Sequence, residues 1–75
     1  MEPADRLVML GKKQLEDEDY NEALHSFEQA ILLNQKDPDL WNLKGIALRS
    51  LGRYDEAIEC FNKSLEIDPR DRNAS

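Results

Sequence analysis

A chain of 75 residues with a net charge of −6 makes one small domain at most, and it lacks the basic footprint that nucleic-acid phosphates or an anionic membrane surface require. Hydrophobic residues at 40% permit a core and charged residues at 35% suit a solvated helical surface, while three Gly and three Pro are too few for a linker or a low-complexity segment. The lone Cys60 cannot form an internal disulfide, no apolar run exceeds about four residues, and the N-terminus shows no signal peptide, so the expectation is a cytoplasmic chain without a membrane span.

The chain states one pattern twice. "YNEALHSF" at Tyr20–Phe27 returns 34 residues later as "YDEAIECF" at Tyr54–Phe61. In the same register Asp5 falls on Asp39, Gly11 on Gly45 and Asp37 on Asp71, with Leu7 on Trp41, Ala30 on Ser64 and Leu33 on Ile67. A fixed period in this range marks a repeat array.

Each unit reads as two helices, and the first runs through Leu7 and Gly11 to an acidic turn at Glu16–Asp19. Asp19 is placed to cap the next helix, with Glu22 completing a capping box; Ala23 and Phe27 follow on that helix. Asp37-Pro38 starts the third helix, because Asp caps and Pro suits the first helical position. Trp41, Gly45 and Leu48 then share one face, and Leu51-Gly52 ends the helix. The fourth starts near Tyr54, carries Ala57, Phe61, Ser64 and Asp68 in one stripe, and stops at Asp68-Pro69. No run of β-branched residues and no period-two alternation points to a strand.

Glycine inside a helix costs about 1 kcal/mol relative to alanine. Gly45 is therefore expected to face Ala57 across the helical hairpin and let the backbones approach, with Phe61 filling the space beside them. Gly11, Ala23 and Phe27 repeat the arrangement in the first unit.

Trp41-x2-Lys44-Gly45-x2-Leu48, then Ala57-x3-Phe61, then Pro69 resembles the tetratricopeptide repeat. Lys44 and Leu48 depart from its Leu and Tyr. The first unit is looser: Leu7-x2-Leu10-Gly11-x2-Gln14, then Ala23-x3-Phe27, with Gln35 where Pro is expected. The resemblance covers residues 4–71. It implies an all-α domain over residues 1–75, two antiparallel helix-turn-helix hairpins stacked as a short right-handed α-solenoid. Its first repeat would be 4–37, its second 38–71, and its tail 72–75.

Residue types that carry chemistry are few. Glu16–Asp19 has four consecutive carboxylates but no glycine to fold a loop around a cation, so it reads as a solvated turn. His25 and Cys60 are single residues of their kinds without zinc spacing, and no phosphate loop or serine elbow appears. No catalytic residue, cofactor or metal site is expected, and the chain is read as a non-enzyme. Trp41 reads as a packing residue, and "NAS" at Asn73–Ser75 as a chance match to a glycosylation sequon.

In proteins of the resembling family, the first helices of successive repeats line a concave groove that holds an extended peptide or a partner helix. That resemblance implies Asp5, Val8, Met9 and Lys12, with Glu16 beside them, from the first unit. It implies Asp39, Asn42, Leu43, Ile46, Arg49 and Ser50 from the second. Asn42 is the foremost contact for peptide backbone, because an amide both donates and accepts. One subgroup clamps a C-terminal carboxylate with Lys and Asn; Val8 and Lys12 stand at those places, so that clamp is not expected. The resulting expectation is a protein-interaction module with a protein or peptide partner. The alternative is a structural, self-assembling piece of a longer array. No helix can form from Asp71 to Ser75, so Ile58, Leu65 and Ile67 would face water and drive a homo-oligomer through the C-terminal helix.

Overall fold

The computed structural model describes residues 3–69, which form four helices: α1 (Pro3–Glu16), α2 (Tyr20–Leu33), α3 (Pro38–Ser50) and α4 (Tyr54–Ile67). No strand occurs among the described residues. Asp71, the tail 72–75 and the Asn73 sequon lie outside them. α1 packs on α2, α2 on α3 and α3 on α4. The shortest dimension, 19 Å, is that of two helix layers at about 10 Å each. All-α architecture with two helical hairpins is thus the observed fold, and the helix boundaries fall at the expected punctuation.

The two hairpin turns share one hydrogen-bonding scheme. Asp19 N–H donates to the Gln14 carbonyl (2.8 Å) and Arg53 N–H to the Leu48 carbonyl (2.9 Å); Glu18 N–H reaches Leu15 and Gly52 N–H reaches Arg49. This closes the last carbonyls of α1 and α3 and requires a left-handed residue just past each helix. In the second turn that residue is Gly52 (φ 80°), and in the first it is Glu18 (φ 64°), a side chain that pays for the position in strain.

Helix starts differ. The Asp37 carboxylate accepts from Asp39 N–H at 3.0 Å, as Asp-Pro punctuation predicts. The capping box expected at Asp19 and Glu22 does not form: Asp19 occupies the cap position but makes no side-chain cap bond. Its ψ of 67° departs from the extended backbone that Asp37 adopts (ψ 109°), and Glu22 is a like charge. At the equivalent place in α4, Arg53 and Glu56 form a two-point ion pair instead, Nε–Oε2 at 2.6 Å and Nη2–Oε1 at 2.8 Å.

The core has two parts. Ala23, Leu24, Phe27, Ala47, Leu48, Ala57 and Cys60 form the larger, and Ala30, Ile31 and Leu40 the smaller. Trp41 packs against both, and its Nε1–H donates to the Gln35 carbonyl at 3.0 Å. Phe61 fills the space beside Gly45, as expected. The three heavy atoms nearest a Cβ placed on Gly45 all belong to Phe61, the closest at 2.5 Å. Gly11 has the same relation to Phe27. The missing side chain makes room for an aromatic ring from the neighbouring helix.

Candidate functional site

The ten side chains singled out for the groove are distributed over α1 and α3. Asp5, Met9, Lys12, Asp39, Arg49 and Ser50 are exposed; Val8, Asn42, Leu43 and Ile46 are half-buried, and Glu16 is exposed at the end of α1. Val8 and Leu43 also pack on the core, which ties them to the fold. α1 and α3 both contribute to the smaller cluster, where Leu7 and Val8 pack against the group of Ala30, Ile31 and Leu40. Lys12, Asn42 and Arg49 make no side-chain hydrogen bond or ion pair among the described residues. These and other polar groups on the first helices are open to outside partners, and Asn42 and Arg49 are seven residues apart on one face of α3.

Some charges on α2, α3 and α4 pair with one another. Lys44, which stands where the repeat pattern has Leu, reaches from α3 to Glu28 on α2 at 3.6 Å and lies 5.6 Å from the centre of the Trp41 ring. Lys63 of α4 approaches the same ring at 6.0 Å. A depression lined by Trp41, Lys44, Glu28, Arg53, Glu56, Glu59, Cys60 and Lys63 results. The reading of residues alone missed this cluster; its signal is Lys44 three residues after Trp41, on the same helix face. The Glu56 carboxyl lies below the usual carboxylate range because Arg53 donates to it, and Arg53 is raised in turn. Burial pushes the Cys60 thiol up, so it is not an activated nucleophile.

His25 and Cys60 belong to different surfaces. His25 is exposed in a depression with Leu7, Leu10 and Gln14, while Cys60 is buried on α4. Glu16–Asp19 is exposed at the hairpin turn, with Asp17 paired to Lys13 at 3.5 Å. No helix among the described residues is long and apolar enough to cross a membrane.

Comparison with known proteins gives a consistent picture. The tetratricopeptide repeat model matches twice, over residues 4–37 and 38–71. An uncharacterised protein of Methanocaldococcus jannaschii is 48% identical over 50 residues, covering 67% of this chain and 58% of that protein. The Hsp70-Hsp90 organising protein of Plasmodium falciparum is 43% identical over 67 residues, 88% of this chain and 26% of its own length. The peroxisomal targeting signal receptor of Saccharomyces cerevisiae is 31% identical over 52 residues, 69% of this chain and 8% of the receptor. The chain thus spans less than two thirds of each of these relatives.

Proposed function

The chain belongs to the tetratricopeptide repeat family, and we propose that it is a non-catalytic protein-interaction module holding a peptide or partner helix against the first helices of its two repeats. One observation supports the reading: Lys12, Asn42 and Arg49 stand on α1 and α3 beside apolar Met9 and Ile46, with no side-chain partner among the described residues. Beside them Met9 is exposed and Ile46 half-exposed, which supplies apolar contact for one or two side chains. Asn42 offers both a donor and an acceptor to peptide backbone, and Lys12 and Arg49 offer charge-assisted bonds to carboxylates or carbonyls. The names of the relatives fit this role: an Hsp70-Hsp90 organising protein, and a peroxisomal targeting signal receptor. Scaffolding in a reducing cytoplasm accords with the single unpaired cysteine.

Asn42→Ala with Arg49→Ala tests it. A peptide recovered by affinity purification, then titrated calorimetrically, binds the double variant at least tenfold more weakly, while circular dichroism is unchanged. Surface changes of this kind alter stability by less than about 0.5 kcal/mol. Unchanged affinity removes these residues from the site.

A second reading, self-assembly, is favoured by a different observation. Ile58 on α4 is 55% exposed, although Leu24, its counterpart on α2, is 6% exposed. Leu65 and Ile67, grouped with it on sequence grounds, are half-buried.

A further inference from the structure

Beyond the groove on the first helices, we infer that the joint between the repeats carries a second binding site, between α2 and α4 and over α3, for a peptide segment with a carboxylate beside a large apolar side chain. Lys44 follows Asn42 by two residues, a rotation of about 200° round α3, which puts it on the far side of that helix from Asn42. A depression of about 610 Å³ lies there. Its lining includes Glu28 and Leu32 of α2, Gln35 of the following loop, Trp41 and Lys44 of α3 and Lys63 of α4. These six residues lie between positions 28 and 63, so the site belongs to the joint and not to either end of the array.

Charge selects the occupant. The chain carries −6 overall, yet this depression sets two lysines against one glutamate. Both ammonium groups stand by the same indole, 5.6 and 6.0 Å from its centre. The ring attracts them but has no net charge to cancel theirs. Their carboxylate neighbours are loose: Glu28 lies 3.6 Å from Lys44 and Glu66 lies 3.8 Å from Lys63. Both distances exceed the range of about 2.7–3.2 Å for an N–H···O hydrogen bond. Neither lysine spends any of its donors in a hydrogen bond among the described residues. The Lys44 side chain is only 24% exposed, so an arriving carboxylate meets a cation already stripped of part of its water, where pairing is stronger than on an open surface. Leu32, 66% exposed on the α2 wall, supplies the adjoining apolar contact. Towards the hairpin turn the joint loses its positive excess: Arg53 and Glu56 cancel each other, and Glu59 makes no ion pair. An acidic segment is therefore held at the Leu32–Gln35 end and kept off the Arg53 end, while a basic segment would meet Lys44 and Lys63 as like charges.

Trp41 is the single tryptophan, so its emission reports on this site directly. The probes are acetyl-Leu-Asp-Leu-Glu-amide and its neutral counterpart acetyl-Leu-Asn-Leu-Gln-amide, neither of which is fluorescent, titrated into the 75-residue chain at low salt. The acidic peptide should change Trp41 emission saturably and bind at least tenfold more tightly than the neutral one. Lys44→Leu restores the residue of the repeat pattern, and Lys63→Gln alters a half-exposed side chain, so circular dichroism of both should match the parent. Each should weaken the acidic peptide at least threefold, and together they should abolish its advantage over the neutral peptide. Should Lys44→Leu disturb the fold, Lys63→Gln decides alone. Asn42→Ala with Arg49→Ala should bind the acidic peptide within twofold of the parent. Equal binding of the two peptides, indifference to the lysine variants, or no saturable signal overturns the inference and leaves the groove on the first helices untouched. Loss of the acidic peptide in the Asn42–Arg49 variant also overturns it, and places the peptide in that groove instead.

Discussion

Gly11 and Gly45 face the same steric demand, yet their replacement by alanine should have different consequences. A Cβ at either position falls 2.5 Å from a ring carbon, of Phe27 or Phe61 respectively. Ordinary contact begins near 3.4 Å, so in each case the ring must move by most of an ångström. Phe27 is fully enclosed by the larger core and has nowhere to go. Phe61 is packed on α3 but only half-buried, so its ring has room to shift towards solvent. Overpacking costs about 1–3 kcal/mol, and alanine returns up to about 1 kcal/mol of helix propensity at both sites. Gly11→Ala should therefore lose about 1–2 kcal/mol net, and Gly45→Ala about 0–1 kcal/mol. For a chain of this size 1 kcal/mol corresponds to about 4–8 °C in Tm. Thermal and urea unfolding, followed by far-ultraviolet circular dichroism and by Trp41 fluorescence at a dilution where the chain is monomeric, reads both values. If Gly45→Ala is as damaging as Gly11→Ala, the relief proposed for Phe61 is wrong.

Glu18→Gly should stabilise by about 0.5–1 kcal/mol, the left-handed strain relieved less the extra freedom of glycine in the unfolded chain, and urea midpoints will show it. Ser64 is 1% exposed and its hydroxyl has no hydrogen-bond partner among the described residues, whereas its counterpart in the first repeat is Ala30; Ser64→Ala should gain about 1 kcal/mol in the same assay. A loss there would show that the hydroxyl is satisfied in solution. The buried Cys60 thiol should react with a disulfide reagent more slowly than free cysteine, and as fast once unfolded. Because its pKa is raised in the folded chain, stability is full below the ordinary thiol pKa and falls as pH rises through the folded value; Cys60→Ala should flatten that slope.

Helix punctuation was legible because it depends on local chemistry. Asp37-Pro38, Gly52 and Asp68-Pro69 act through backbone conformation that neighbours in sequence impose. The failed capping box shows the limit of that reasoning: Asp19 has the right side chain, but the tight turn through Glu18 sets a backbone angle from which it does not cap. Gly45 was legible as a point of close approach with Phe61 beside it, because a glycine within a helix and an aromatic residue repeat together in both units. Lys44 was the least legible. It departs from the repeat pattern, and its reason for doing so, Glu28, lies on the other hairpin. The groove residues came from family resemblance rather than from a chemical signature, and their free donors emerge only once every internal partner has been assigned.

Each helix packs on the one that precedes or follows it in the chain. Such contacts close short loops, and a low contact order makes for folding in microseconds to milliseconds. Either hairpin can form first, because its own two helices meet without help from the other. The joint between α2 and α3 then decides whether the halves fold as one event or two. Lys44, Glu28 and Trp41 all lie at that joint, so changes there should appear as a loss of cooperativity before they appear as a loss of helix.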